Sequence, residues 1–153
     1  MRTARLHEKE PAMADTYVYL IHEGDWDSDA YLGGRTDAGP EGRDPGAPGA
    51  APDMDASFPE HKAFQQAVAD LGARVVGGAA LQNTRHGGTV TPGAKGRLVE
   101  DAVYTDGPFT DTSEVITGFY LVETDDEDTA RRVAALVPTG GHIEWRKVFP
   151  TGM

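Results

Sequence analysis

The chain has 153 residues, the length of a single domain, and its composition excludes several classes of protein. It contains no cysteine, so disulfides, a thiolate nucleophile and a zinc–thiolate site are all excluded. Its 14 basic and 25 acidic residues give a net charge of −11, which argues against direct nucleic-acid binding, because phosphate backbones are bound by basic patches. No apolar run could cross a bilayer and no signal-peptide core is present, so we expect a cytoplasmic protein without membrane contact.

Two segments are too poor in large apolar residues to join a core. Residues 1–15 are predicted to form a disordered leader, or to include residues upstream of a true start at Met13. Residues 33–53 contain six Gly and four Pro and no aromatic, Leu, Ile, Val or Met residue. Burial within that segment cannot offset the entropy lost on ordering it. We therefore predict one domain over residues 16–150, interrupted by a flexible acidic insertion at 33–53.

The first half of the chain predicts a strand, a helix and a second strand. Residues 16–21 are aromatic or β-branched in large part, which is typical of a strand. Ser57 and Glu60 have the spacing of a capping box, so we expect the helix to begin there and to stop at Gly72. Residues 73–81 then predict the second strand.

The second half of the chain continues the alternation of strands and helices. A hairpin is predicted from residues 89–90 and 98–104, and a longer strand from residues 117–123. Thr124 and Glu127 form a second capping box, which predicts the start of another helix. Residues 142–149 predict the last strand.

This order of elements predicts an α+β fold of the ferredoxin-like plan, an antiparallel sheet with two helices on one face. Tyr17, Tyr19 and Ile21 alternate with Val18 and Leu20, so both faces of the first strand are apolar. Two helices cover only one face of such a sheet, and the other face needs a second cover. We expect that cover to be a second copy, which gives a homodimer through the sheet face.

The turn Asp106-Gly107-Pro108-Phe109 carries a resemblance to a known family. Gly107 can take a positive φ, Pro108 fixes its own φ, and Asp106 can accept hydrogen bonds from nearby amides, so the group predicts a turn. The turn is followed by Thr112-Ser113-Glu114-Val115 and by Gly118-Phe119-Tyr120-Leu121. Together these segments resemble the DGPF family of YCII-related proteins. Further similar segments are residues 16–23, 61–64, 77–82 and 142–148, so the resemblance covers roughly residues 16–149.

The resemblance implies a dimeric α/β barrel and a catalytic pair. In YCII-like proteins a histidine near the start of the first helix and an aspartate at a strand end face a cleft, and His61 and Asp106 match these positions. A carboxylate beside an imidazole can orient it as a general base near neutral pH. The alternative from the residues alone is a half-exposed helix histidine and an aspartate that only caps a turn.

Other polar residues suggest weaker sites. Tyr19, His22, Phe109 and Glu144 are candidates for the lining of a ligand pocket. His22, His142 and Glu144 share one strand parity, but they lack a fixed ligand spacing, so we predict no metal site.

The acidic stretch at residues 25–29 resembles the first half of a calcium loop. It departs from that pattern at Ala30 and Thr36, and we expect a solvated acidic loop.

Two functions from different classes follow. The first is a cofactor-independent enzyme in which His61 transfers a proton, Asp106 orients it, and the substrate is a small organic molecule such as an aromatic or a lactone. The second, suggested by the resemblance, is a non-catalytic ligand-binding or regulatory module associated with sigma-factor-type transcription proteins. Neither P-loop nor Rossmann signatures are present in the sequence, which accords with the expectation of no cofactor.

Overall fold

The computed structural model describes residues 14–32, 58–107 and 113–152. Its strands and helices are β1 (Asp15–Glu23), α1 (Ser28–Tyr31), α2 (Pro59–Asp70), β2 (Arg74–Ala80), β3 (Gly88–Thr91), β4 (Val103–Asp106), β5 (Val115–Thr124), α3 (Glu127–Leu136) and β6 (His142–Lys147). Short 3-10 turns lie at Thr84–His86 and Val99–Asp101. The predicted insertion, nearly all of the predicted leader and Phe109 lie outside the described residues.

The described residues belong to two compact units. The sheet unit contains residues 14–22, 58–80 and 118–152, and the hairpin unit contains residues 23–32, 81–107 and 113–117. No helix in these described ranges is long and apolar enough to span a membrane.

The larger sheet has the strand order β2-β5-β1-β6. β1 runs antiparallel to β6 with Tyr19 opposite Trp145, and β2 runs antiparallel to β5 with Val75 opposite Val122. The register of β2 shifts between Val75 and Gly77, so Val76 occupies a bulge. The predicted mixed α+β class with antiparallel strand pairs is therefore confirmed.

The core lies between this sheet and the helices α2 and α3. Alternate residues of β1 enter it, as the in–out pattern of the sequence predicts. The fully or nearly fully buried apolar members are Tyr17, Tyr19, Ile21, Phe64, Val68, Ala73, Val122, Ala130, Val133 and Val137. Since burying one such large side chain contributes about 1.5–3 kcal/mol, this cluster accounts for the position of both helices.

Helix α2 begins one residue later than the capping box predicts. The N-cap is Phe58, which makes no side-chain cap, and Pro59 occupies the first helical position. Proline favours that position because it has no N–H to satisfy, and it disfavours helical geometry at the preceding residue. The prediction of Ser57 as the N-cap was therefore wrong.

The end of α2 confirms the predicted stop at Gly72. Gly72 has a φ of +85°, its N–H donates to the carbonyl of Ala69, and the N–H of Ala73 donates to the carbonyl of Val68. This pair of bonds is a Schellman motif, and the buried side chains of Ala73 and Val68 lie at its two ends.

Helix α3 also begins later than its predicted capping box. Asp126 is the N-cap, and its carboxylate accepts hydrogen bonds from the N–H groups of Asp128 and Thr129. Thr124 remains the last residue of β5, and its hydroxyl accepts from the N–H of Asp126 at 3.2 Å. The predicted start at Thr124 was wrong because a carboxylate two residues later satisfies two free amides of the first turn.

Strands β3 and β4 form the predicted hairpin, with Val90 opposite Tyr104. The second strand is shorter than the predicted 98–104, because Val99–Asp101 form a 3-10 turn in which the N–H of Asp101 donates to the carbonyl of Leu98.

The acidic stretch at residues 25–29 is bonded to the segment 81–86 rather than left as a solvated loop. The indole of Trp26 donates to the carbonyl of Leu81 at 2.8 Å, and the hydroxyl of Thr84 donates to Asp25 at 2.6 Å. Asp29 is mostly buried and forms ion pairs with two residues of that segment, Arg85 and His86. These contacts lie within the hairpin unit, and they correct the expectation of a solvated loop.

Candidate functional site

His61 lies in the first turn of α2, where the proline start of the helix fixes its backbone. Its N–H donates to the carbonyl of Phe58 at 3.1 Å. Its imidazole Nδ1 lies 2.6 Å from the hydroxyl of Tyr120 on β5, a short and partly buried hydrogen bond. This contact joins the two elements by a polar pair at the edge of the core.

Two phenylalanine rings, those of Phe58 and Phe64, pack against this pair of His61 and Tyr120. Phe58 meets the His61 ring edge-on at 6.4 Å between centroids, and Tyr120 lies 5.8 Å from it. Phe64 is fully buried and packs on Tyr120 at 4.6 Å, so the core anchors the tyrosine ring. The imidazole therefore has an aromatic rather than an aqueous neighbourhood on these sides.

Burial raises the pKa of the Tyr120 hydroxyl, so the group stays neutral at physiological pH. A neutral hydroxyl can donate or accept a hydrogen bond, and it can serve either tautomer of His61. When Nδ1–H donates to Tyr120, Nε2 carries the free lone pair of a general base. Within the part of the chain that the structure describes, His61 has no hydrogen-bond partner at Nε2.

Asp106 is the last residue of β4, exposed and opposite Gly88. Gly107 follows with a φ of +86°, and its carbonyl accepts a hydrogen bond from the hydroxyl of Thr89 at 2.7 Å. Gly107 therefore has the positive φ that the sequence predicts, and Pro108 and Phe109 lie outside the described residues. His61 belongs to the sheet unit and Asp106 to the hairpin unit, and their pairing stays a prediction.

The predicted pocket residues have different environments. His22 and Glu144 come together on neighbouring strands, with His22 Nε2 3.2 Å from Glu144 Oε1. Tyr19 is 0% exposed, and its hydroxyl donates to the carbonyl of Ala130 at 2.7 Å. Burial, with a smaller effect of Tyr17, raises the pKa of Tyr19. In the described ranges, no three His, Asp or Glu side chains are grouped as metal ligands require.

Tyr120 is the residue that sequence reasoning missed as a member of the site. The helical spacing of His61 and Phe64 assigns His61 to the side of α2 that faces the sheet, and alternation assigns Tyr120 to the same face of β5 as Val122. These two signals place both side chains in one layer. The sequence separation of 59 residues hides their contact, because it depends on how α2 sits along the sheet.

One comparison with known proteins identifies the family. The family model of the YCII-related domain matches residues 44–151, which is more than half of the chain. No curated protein matches the chain significantly. The matched range begins after β1, so the assignment of residues 16–23 to the family's first strand stays an expectation. The chain belongs to the YCII-related domain family.

Proposed function

We propose that this member of the YCII-related family is an acid–base enzyme that acts on a small organic molecule, with His61 as the group that transfers the proton. The 2.6 Å contact between His61 Nδ1 and the hydroxyl of Tyr120 carries the proposal. An imidazole held at one ring nitrogen keeps a fixed orientation and presents the other nitrogen to a reacting group.

Tyr120 is the orienting partner in this proposal. Its raised pKa keeps it neutral, so it positions the imidazole without adding a negative charge. A neutral partner can accept from Nδ1–H while Nε2 takes a proton, and it remains a partner when the imidazole is charged. His61 can then return that proton to another atom of the substrate in the second half of the reaction.

The aromatic neighbours of His61 favour a flat, weakly polar substrate. Phe58 and Tyr120 both have their rings within about 6.5 Å of the imidazole ring by the centroid distances above, a geometry typical of aromatic contacts. Binding sites for small molecules pair such surfaces with few polar groups. The proposed substrate class is therefore a small aromatic or lactone.

Asp106 is retained as the second member of the proposed catalytic pair, because the family resemblance assigns it that role. Labelled imidazole ¹⁵N resonances of His61 are the direct readout of a partner at either ring nitrogen. In the proposal, Asp106→Asn changes these shifts, whereas Asp101→Asn, at another exposed acid of the hairpin unit, leaves them unchanged. Unchanged shifts in Asp106→Asn would remove Asp106 from the site and leave the His61–Tyr120 pair.

The proposed assembly is a ferredoxin-like dimeric barrel formed through the sheet face. The strand order β2-β5-β1-β6 supports this, because it is the order of that plan when the β3–β4 hairpin is treated as an addition. On the face opposite the helices, Val18 and Leu20 of β1 and Phe119 and Leu121 of β5 are only half-buried. Such a face favours a second copy as its cover.

The function is tested by turnover of a library of small aromatics and lactones, followed by mass spectrometry of the products. We expect His61→Gln to reduce the rate by roughly 10²–10⁴-fold, the usual contribution of a general acid–base group. His86→Gln is the matched control, since His86 is also a histidine with one side-chain partner, Asp29. Full activity in His61→Gln would refute the proposal.

Tyr120→Phe separates the positioning role from a structural one. The substitution keeps the ring that packs on Phe64 and removes only the hydroxyl, so the expected effect is a lower kcat and a changed ¹⁵N shift of His61 Nδ1. An unchanged Nδ1 shift would show that the contact does not form in solution. If no library member is turned over and none perturbs the His61 resonances, the regulatory-module alternative becomes the favoured function.

A further inference from the structure

Within the ranges 14–32, 58–107 and 113–152, no element covers the β3–β4 hairpin. Every residue of β4 is exposed, as is every residue of β3 except Thr89. Its large apolar residues have high exposed fractions, which are Val90 51%, Leu98 49%, Val99 72%, Val103 60% and Tyr104 58%. A two-stranded sheet is marginally stable in water by itself, and exposed apolar residues clustered in this way mark a contact surface.

Three of these residues are neighbours, and we call the surface that they form the hairpin face: Val90, Tyr104 and the turn residue Val99. Val90 and Tyr104 are opposite each other in the ladder and so project to the same side. The hydroxyl of Tyr104 donates to the carbonyl of Val99 at 3.0 Å, which brings the 3-10 turn beside the pair. The hairpin face is therefore held together by register and by a hydrogen bond.

The charged residues next to Val99 form two halves of opposite sign along the sequence. Lys95 and Arg97 precede Leu98, and Glu100 and Asp101 follow it. Among the described residues, none of these four charged side chains forms an ion pair. Residues 88–107 contain two basic and three acidic residues, so this segment carries little of the chain's net charge of −11.

We propose that the hairpin face binds the hairpin face of a second copy around a two-fold axis. In such an isologous contact the two segments run antiparallel, so Lys95 and Arg97 of one copy lie against Glu100 and Asp101 of the other. The apolar face supplies the buried centre, and the alternating charges fix the register. The small net charge of residues 88–107 limits the repulsion between two copies at this contact.

A second copy fits the hairpin face better than residues 33–57 of the same chain do. The longest part of the chain outside the described residues, 33–57, has no aromatic, Leu, Ile or Val residue before Ser57, and its single large apolar side chain is Met54. Such a composition offers few apolar side chains for contact with the hairpin face. This contact is distinct from the sheet-face dimer and from the His61 site, and it holds whether or not the enzyme proposal does.

Isotope mixing with zero-length crosslinking tests the contact in the full-length chain. Unlabelled and ¹⁵N-labelled protein are unfolded and refolded together, then treated with a carbodiimide that joins amines to carboxylates. We expect peptides in which Lys95 of one isotope is joined to Glu100 or Asp101 of the other. Crosslinks of Lys95 found only within one isotope would overturn the proposal.

Charge segregation provides an independent test. One variant carries Lys95→Glu and Arg97→Glu, and the other carries Glu100→Lys and Asp101→Lys. Each variant alone should associate through the hairpin at least about tenfold more weakly than the wild type, and a mixture of the two should regain the contact. A mixture that associates no better than either variant alone would exclude the antiparallel register.

Val99→Asp tests the apolar centre of the contact. The control is Phe149→Asp, which also places an aspartate at an exposed apolar residue; Val99 is 72% exposed and Phe149 is 79% exposed. Both variants are made in a Leu20→Arg background, which removes the sheet-face contact proposed above. We expect dimers in this background, monomers with Val99→Asp added, and dimers with Phe149→Asp added, each checked for native secondary structure by circular dichroism. Dimers that persist with Val99→Asp would refute the hairpin contact without bearing on the His61 site.

Discussion

The hydroxyls of Tyr19, Tyr120 and Tyr104 form hydrogen bonds that differ in their degree of burial. Tyr19 is fully buried and donates to Ala130, Tyr120 is partly buried and contacts His61, and Tyr104 is exposed and donates to Val99. A buried hydroxyl or carbonyl without a partner is costly, whereas water replaces a partner at an exposed site. The same side chain therefore has a structural role at position 19 and a polar, site-forming role at position 120.

Tyr19→Phe should lower the free energy of unfolding by about 1–2 kcal/mol, because it leaves the Ala130 carbonyl without its hydroxyl donor. Tyr104→Phe is the control, since it removes a hydroxyl bound to a backbone carbonyl at an exposed site and should cost less than about 0.5 kcal/mol. Urea unfolding of both variants measures the difference. Equal losses in the free energy of unfolding would show that the contribution of the Tyr19 hydrogen bond does not depend on its burial.

The residue-level predictions from sequence succeed where a period decides them. Alternation along β1 predicts that Tyr17, Tyr19 and Ile21 share one face, and all three are buried. The same alternation cannot identify Ala130 as the partner of Tyr19, because 111 residues separate them. Partners across the fold depend on the offset between helix and sheet, which local patterns do not encode.

The helix ends show the competition between alternative local caps. Sequence spacing favours Ser57–Glu60 and Thr124–Glu127, while Pro59 sets the start of α2 and Asp126 caps α3. In both cases the helix starts later because a residue inside the predicted first turn favours a later start. Pro59 favours the first helical position of α2, and the carboxylate of Asp126 caps the first amides of α3. The stop at Gly72 was predictable, since a left-handed residue after a helix is most often glycine.

Gly72→Ala should destabilise the sheet unit by about 1–2 kcal/mol, the cost of a left-handed conformation for a residue with a Cβ. A Cβ at Gly72 would meet no neighbouring atom, so the effect isolates backbone conformation from steric overlap. Gly87→Ala is the control: its φ of −171° is ordinary extended backbone, and it too has open space around it. Thermal unfolding should separate the two variants, and equal melting temperatures would show that Gly72 does not hold the Schellman motif in solution.

Asp128 gives α3 a pH-dependent stability. The hydrogen bond from Arg131 and the charge of Arg132 hold the pKa of this carboxyl below its ordinary value. A lowered folded pKa means that the contribution is present above the pKa of an unfolded aspartate and is lost as the pH falls through the folded one.

Asp128→Asn should therefore be less stable than the wild type at pH 7, and the difference should shrink as the pH falls through the folded pKa of Asp128. Asp125→Asn is the control, an exposed acid with no ion pair among the described residues. Unfolding curves from neutral to acid pH, repeated at high salt to screen the pairs, provide the measurement. A difference that is independent of pH would exclude the charge of Asp128 as its source.

At the scale of the whole molecule, the order of elements predicts the α+β class. The order strand, helix, strand, then strand, helix, strand leaves few ways to pair the strands once two helices share one face. The ties of residues 25–29 to residues 81–86 were beyond prediction, because they depend on single side chains such as Trp26 that bind backbone carbonyls far along the chain. What covers the half-buried face of the sheet opposite the helices depends on assembly with a second copy, and the order of elements does not predict it.

The sheet-face dimer is tested in a Val99→Asp background, which removes the hairpin contact. We expect this variant to have twice the chain mass in light scattering, and adding Leu20→Arg should reduce the mass to that of one chain. Arginine at position 20 lies opposite Glu144 in the β1–β6 ladder, so an isolated chain can tolerate it through a cross-strand ion pair. In the sheet-face dimer, the charge introduced at position 20 would instead be buried in an apolar contact, which costs several kcal/mol.

Leu136→Arg, at an exposed leucine of α3, is the control and should leave the sheet-face dimer intact. A chain that remains dimeric with both Leu20→Arg and Val99→Asp would place its interface on neither the sheet face nor the hairpin face.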